Sequence, residues 1–228
     1  MEQSKYHRPT IQSTSDGSST LNHSVLDELY HSRHGAWTES QHIFIQHGLV
    51  PVLQGSAQEI SIFEMGFGSG LNAALVREAA RRSKIPVHYV AVELYPVELD
   101  VIAEMAMPDQ RADERNRWLD LHQSAWNEDV EIDPYFALHK IKGAFPDQSV
   151  PGSGTYDLIF YDAFAPGAQP ELWGIEALGQ CFDLLRRGGA WISYCSKGSV
   201  KRNLREVGFE VIPLPGPPGK REITKAVK

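Results

Sequence analysis

Apolar residues first fall into an ordered pattern at position 60. Ile60-Ser61-Ile62-Phe63-Glu64-Met65 is a short apolar run that ends in Gly66-Phe67-Gly68-Ser69-Gly70. Leu71–Arg82 follows, rich in Ala with apolar positions at helical spacing. The pattern predicts a strand, a glycine turn and a helix. Pro86–Leu94 (PVHYVAVEL) predicts a second buried strand, Pro96–Met105 a helical stretch, and Arg111–Trp126 a helix with a polar face. Tyr156–Phe164 (YDLIFYDAF) reads as another strong strand. After a Pro/Gly turn come a helix over Glu171–Leu185, a strand over Ala190–Cys195 opened by Gly188-Gly189, and a helix over Lys197–Val207. Phe209–Leu214 and Glu222–Val227 predict two last strands, with the turn-rich Pro215–Gly219 between them. Strands alternating with helices imply a mostly parallel sheet with helices on both faces.

The first fifty residues lack such order. Met1–Thr20 is polar, rich in Ser and Thr, and poorly ordered or weakly strand-like. In Ser19–Val52, Ile43-Phe44-Ile45 is the best strand candidate. We read 1–55 as an N-terminal extension packed on a core domain spanning 56–228.

Composition narrows the class without naming it. A chain of 228 residues with 42% hydrophobic and 22% charged residues suffices for one α/β domain. No apolar run approaches the ~18 residues a membrane helix needs, and the N-terminus has no apolar signal-peptide region. Cys181 and Cys195 are too few for a disulfide framework and too far apart for a zinc cluster, which points to a reducing, cytoplasmic setting. The net charge of −7 argues against a nucleic-acid partner. Its distribution softens that argument: Lys197–Lys228 carries eight basic and three acidic residues, a net +5, which leaves −12 for the rest. The segment is either a solvated face or a local basic patch on an acidic protein.

The glycine turn carries the most chemistry. Glycines at alternate positions allow positive φ and close approach of a ligand to the backbone, and the following helix offers free N–H groups. A dinucleotide fingerprint would read G-x-G-x-x-G. Here Gly66, Gly68 and Gly70 give G-x-G-x-G, spacing typical of turns that bind S-adenosylmethionine (SAM). Glu93 ends the second strand, 23 positions after Gly70, where an acid can accept both hydroxyls of a ribose. Its structural alternative is a first-turn acid ahead of Pro96. Glu64, Phe67 and Asn72 complete the candidate cofactor set.

Ligands in open α/β sheets bind beyond the carboxyl ends of the strands. Asp162 therefore projects toward the same crevice as Gly68 and Glu93. The run Asp162-Ala163-Phe164-Ala165-Pro166 resembles in logic the polar-Pro-aromatic loops of amino-group methyltransferases, where a polar group holds the acceptor nitrogen and a ring covers it. The structural alternative for Asp162 is a turn-stabilising acid. Methyl transfer from a sulfonium asks mainly for positioning and exclusion of water, and an amine acceptor must first be unprotonated. The nine histidines show no metal-ligand spacing. His31 and His34 are the nearest to a pair and are read as surface or structural residues, so no metal is expected. Trp118, Trp126, Trp173 and Trp191 are read as packing residues, with Trp173 kept as a substrate-side candidate because it follows the Asp162 loop.

GFGSGLN (66–72), DLIFYDAFAPGAQPELW (157–173), GGAWISYCSKGSVKRNLREVGF (188–209) and PGPPGKREI (215–223) together resemble the methyltransferase domain of the MnmC type, and DGSSTLNHSVLDELYHSRHGAWTESQHIF (16–44) resembles that family's N-terminal segment. The resemblance implies a Rossmann-like class I SAM-dependent methyltransferase with a seven-stranded sheet. It implies methylation of the aminomethyl group of 5-aminomethyl-2-thiouridine at the tRNA wobble position, giving 5-methylaminomethyl-2-thiouridine. The implied partner is the anticodon region of tRNA. By the same resemblance Asp162 and Phe164 form the acceptor pocket, Asp162 also facing the cofactor. The resemblance also implies Glu39, Lys197 and the Lys220-Arg221-Glu222 run as lesser candidates for shaping the substrate side, beside Pro166 and Trp173, which are candidates from their place in and after the Asp162 loop. Bifunctional members carry a second, FAD-dependent oxidoreductase domain. A chain ending at Lys228 has no room for one, which implies a start from the aminomethyl group or reliance on a separate oxidoreductase. The family's third strand usually ends near a Gly-Asp that meets the adenine, whereas here the region reads Ile141-Lys142-Gly143-Ala144-Phe145-Pro146-Asp147 and the acid is missing or displaced. The rival readings are a small-molecule N-methyltransferase or aminopropyl transferase on the same fold, and a non-catalytic SAM-binding or RNA-binding module. A NAD oxidoreductase is disfavoured by the glycine spacing.

Overall fold

The computed structural model describes residues 8–107 and 112–228. Its centre is one eight-stranded sheet. Before it come a small antiparallel sheet of β1 (Thr10–Ser13), β2 (Ser19–His23) and β3 (Glu28–Leu29), and a helical stretch of α1 (Ala36–Ser40), a π-helix (Gln41–Leu49) and α2 (Val50–Leu53). The core continues as β4 (Ile60–Met65), α3 (Leu71–Ser83), β5 (Val87–Glu93), α4 (Leu99–Glu104), α5 (Ala112–Gln123), β6 (Asp129–Asp133) and β7 (Phe136–Lys142). It closes with β8 (Tyr156–Tyr161), a 3₁₀ turn (Pro170–Trp173), α6 (Ile175–Leu184), β9 (Leu185–Ser193), α7 (Gly198–Val207), β10 (Glu210–Pro215) and β11 (Glu222–Val227). The sheet order is β10-β11-β9-β8-β4-β5-β7-β6. The β7-β5-β4-β8-β9 block is parallel, while β6, β10 and β11 run antiparallel to their neighbours.

The central strands are apolar on both faces because both faces are covered. Ile60 and Ile62 of β4, Tyr89 and Ala91 of β5, and Leu158 and Phe160 of β8 join one core cluster. The alternate residues Phe63, Val90, Val92, Ile159 and Tyr161 join the other, against α6 and α7. The period of two is that of a strand whose successive side chains point to opposite faces. Leu21, Ala36, Ile43, Phe44 and Leu49 belong to the first cluster, so the N-terminal elements share the core of the sheet.

Two expectations are corrected. Ile43-Phe44-Ile45 lies inside the π-helix, where Val50 N–H bonds Ile45 O five residues back. Its β-branched residues favour a strand by propensity. All three side chains are nevertheless buried, Phe44 against Phe160 with ring centroids 5.1 Å apart, and packing overrides propensity. The sheet has eight strands rather than seven. The eighth, β6, is an edge strand carrying three acids, and it pairs back onto β7 in a hairpin. Its low apolar content hid it from the hydrophobic pattern.

Candidate active site

The carboxyl ends of β4, β5 and β8 are laced together at the mouth of the sheet. Gly66 N–H donates to Val92 O at 3.0 Å, and Asp162 N–H donates to Met65 O at 3.0 Å. Gly66 adopts φ +91°, and a Cβ there would lie 2.9 Å from Asp162 O, so the lacing requires a glycine. Gly68 (φ +51°) donates its N–H to Glu93 Oε2 at 2.9 Å, while Tyr95 N–H donates to Glu93 Oε1 at 2.7 Å. Glu93 thus grips the turn that faces it. From below, Trp118 Nε1 donates to Ser69 O at 2.8 Å and His122 Nε2 meets the same oxygen at 2.8 Å. Burial pushes the His122 pKa down to about 4, which keeps that ring neutral.

These strand ends open into a cavity of about 300 Å³. Gly66, Phe67, Gly68, Asn72 and Glu93 line one end; Asp162, Phe164, Glu39 and Lys220 line the other. Asn72 joins the two. Its Nδ2 donates to Glu64 Oε1 at 2.9 Å and to Asp162 Oδ2 at 2.9 Å. Glu64 is buried beneath the cavity, and burial raises its pKa well above the carboxylate range. Asn72 Oδ1 is buried without a hydrogen-bond partner among the described residues. Burial, aided by the Glu39 carboxylate, pushes Asp162 up to about 7 against the opposing Asn72 bond and Lys220 charge. Its side chain is 11% exposed, so the shift has a dry setting. Burial raises Glu93 as well, while the backbone N–H groups of Gly68 and Tyr95 hold it down.

The end of the cavity beyond Asp162 is assembled from distant segments. Lys220, on the β10–β11 loop, donates to Glu39 Oε1 of α1, and Ser32 N–H donates to Glu39 Oε2 at 2.7 Å. The Lys220 ammonium also lies 4.2 Å from the Tyr194 ring centre, and Tyr194 OH donates to Ala163 O at 2.8 Å. Phe164 is pinned on both sides of its peptide. Its N–H donates to Gln169 Oε1 at 3.2 Å, and its carbonyl takes Trp173 Nε1–H at 2.9 Å. The Phe164 ring meets Tyr30 and His23 edge-on, with centroids 5.0 and 5.3 Å away. One wall of the cavity is therefore aromatic, made by Phe164 and by Tyr30 just after β3, with His23 of β2 packed against both rings.

Several candidate residues stand elsewhere. Trp173 is 3% exposed and does not line the cavity; it braces the Phe164 backbone. Pro166 sits in the turn behind Phe164, Gly70 caps α3, and Lys197 and Arg221 are exposed outside the cavity. Asp147, the displaced acid after β7, lines a separate groove with Gln148, Val150 and Gln180. Leu94, 40% exposed, and Tyr95 line the cavity just past Glu93. His31, read from the sequence as a surface or structural residue, instead lines the cavity with its side chain only 7% exposed. Tyr30, Tyr194 and Gln169 line it too and went unmarked, since isolated polar and aromatic residues carry no signal of their own.

Residues 116–228 match the model of a family described as S-adenosyl-L-methionine-dependent methyltransferase. The chain is 31% identical over 217 residues to the tRNA 5-methylaminomethyl-2-thiouridine biosynthesis bifunctional protein MnmC of Magnetococcus marinus, covering 89% of this chain and 31% of that protein. The chain belongs to the MnmC-type methyltransferase-domain family. It spans about a third of the length of the curated relatives it matches. MNMC2 of Aquifex aeolicus shares the fold at a TM-score of 0.79 and 24% identity, over 98% of this chain and 71% of that one. Spermidine synthase of Thermotoga maritima shares it at 0.54 and 14%, over 97% and 73%. The fold is that of the class I methyltransferases, and SAM is the cofactor of this MnmC-type domain. The cavity suits that cofactor: glycine turn, buried acid at the second strand tip and orphaned Asn72 Oδ1 meet a nucleoside and an amino acid with donors and acceptors already in place. No helix among the described residues is long and apolar enough to cross a membrane.

Proposed function

We propose that this domain methylates the primary amine of 5-aminomethyl-2-thiouridine at the wobble position of tRNA. The observation that carries the reading is the single cavity joining the glycine turn and Glu93 to Asp162 and Phe164. SAM, when bound, supplies an activated methyl group. The rest is the work of the chain: Gly66, Gly68 and Asn72 shape the cofactor end, and Glu93 accepts the ribose hydroxyls. Asp162 takes a proton from the incoming ammonium so that the nitrogen lone pair is free for the new C–N bond. A carboxyl with proton affinity near 7 suits that task at neutral pH. Phe164 covers an uracil ring drawn out of the anticodon stack.

Support for tRNA comes from the relatives' role in tRNA 5-methylaminomethyl-2-thiouridine biosynthesis and from the exposed basic residues Lys197, Arg202, Arg205 and Arg221. The bifunctional name of those relatives fits a supply of the aminomethyl group by an oxidoreductase activity, here from a separate protein or from chain beyond these residues. The test is transfer of labelled methyl from SAM to tRNA rich in 5-aminomethyl-2-thiouridine, followed by nucleoside analysis. Label in 5-methylaminomethyl-2-thiouridine is expected. Intact SAM binding with no label in tRNA would remove the acceptor and leave the domain with another one.

A further inference from the structure

His31 follows β3 and lies against the acceptor carboxyl. It lines the cavity, yet its side chain is only 7% exposed, and its Nε2 stands 4.0 Å from Asp162 Oδ2. The backbone is held in register by Thr20, whose hydroxyl accepts His31 N–H at 2.9 Å and meets His31 O at 3.5 Å. Ring Nδ1 is buried with no hydrogen-bond partner among the described residues.

A neutral imidazole has one N–H and one bare nitrogen. With the proton on Nδ1, a buried donor goes unpaired and a lone pair faces a carboxylate. With it on Nε2, the donor points at Asp162. The second tautomer is favoured at both atoms. The charged groups facing the ring are Asp162 and Glu39, with Asp16 and Lys220 further contributors. Burial lowers the His31 pKa, Lys220 adds to that, and Glu39 and Asp16 oppose it, which leaves the ring neutral at physiological pH.

We propose that His31 is a positioning residue for Asp162: its Nε2–H joins Asn72 Nδ2 on Oδ2, favours the charged carboxylate and leaves Oδ1 to meet the acceptor amine. The present 4.0 Å closes by about 1 Å when substrate fills the cavity, as hydrogen bonds in ligand-free active sites commonly do. The substrate half of the proposal rests on the amine reading above; the carboxyl half does not.

The test follows the Asp162 carboxyl by carbon-13 NMR in wild type, His31→Phe and His31→Gln, with the signal assigned by Asp162→Asn. Gln returns an N–H near the Nε2 position, whereas Phe fills the space without a donor. In His31→Phe the titration midpoint rises by about one unit, a tenfold change in proton affinity. In His31→Gln it stays near the wild-type value. The acid limb of the pH profile for methyl transfer to tRNA moves with it, and nitrogen-15 shifts of the wild-type ring show the Nε2–H tautomer. Asp162 titrating at one pH in all three proteins, or a ring protonated on Nδ1, overturns the proposal. Should His31→Phe not fold, the wild-type tautomer decides. A shifted carboxyl with no methyl reaching tRNA leaves the positioning role standing and removes the acceptor reading.

Discussion

The two ends of the cavity are built in opposite ways. The cofactor end comes from one contiguous strand-turn-helix, Ile60 to Ser83, plus the tip of β5, and the turn is tied to that tip through its own backbone N–H groups. The acceptor end draws Glu39 and His31 from the N-terminal elements, Asp162 and Tyr194 from the sheet, and Lys220 from the last loop. The Glu39–Lys220 pair alone spans 181 residues. A cofactor common to many enzymes can be served by a local motif, whereas a particular acceptor needs side chains from many places.

The carboxyls repeat the contrast. Glu93 is committed to two backbone N–H groups and acts as a fixed acceptor. Asp162 has its proton affinity set near 7 by burial and a neighbouring carboxylate, and acts as a titrating one. The sharpest way to separate them is substitution. We expect Asp162→Asn to lower methyl transfer by about 10²–10⁴-fold, the usual worth of a positioned acid or base, with SAM affinity changed only a few-fold. Glu93→Ala, which loses charge-assisted bonds of roughly 1.5–3 kcal/mol, should weaken SAM binding by about 10- to 100-fold in calorimetry.

Asp162 should also declare itself in stability. Its folded-state pKa lies above its unfolded value near 3.9, so the protonated form favours folding below pH 4. That contribution is lost as pH rises through about 7, a change of roughly 4 kcal/mol across the window. Asp162→Asn should therefore melt higher than wild type at pH 8 and close to it at pH 4. Equal melting differences at both pH values would contradict the assigned shift.

Gly66→Ala puts a Cβ 2.9 Å from Asp162 O at φ +91°, where the two ends of the cavity meet. It should cost about 1–3 kcal/mol in denaturant melts, as strained backbone does, and weaken both SAM binding and transfer. The smallest effect belongs to Trp173→Phe. Losing the Nε1 bond to Phe164 O removes about 1 kcal/mol of support, and we expect transfer to fall several-fold with SAM binding unchanged.

The same contrast explains what could be read before the structure. Gly66, Gly68, Asn72 and Glu93 lie in one motif and the next strand tip, and the structure brings them onto one cavity wall. Asp162 and Phe164 were legible because a strand tip has a predictable place, and Glu39 and Lys220 through the family resemblance alone. His31 and Tyr194 were not, since only tertiary folding brings them to Asp162 and Lys220. Trp173 was placed one layer too near the substrate: sequence adjacency to the loop does not tell a wall from its brace. In the fold, the parallel core followed from its apolar strands. The acidic edge strand β6 escaped for its low apolar content and β7 because His139, Lys140 and Lys142 break its apolar run, and the π-helix escaped because packing outweighs propensity.

Single-turnover methyl transfer to 5-aminomethyl-2-thiouridine tRNA, measured against rising SAM concentration in Glu93→Ala and Asp162→Asn, tests the division most directly. The account predicts that Glu93→Ala recovers to within a few-fold of wild type at saturating SAM while Asp162→Asn stays slow at every concentration. Recovery of Asp162→Asn by added SAM would contradict it, because the acceptor carboxyl would then be serving the cofactor.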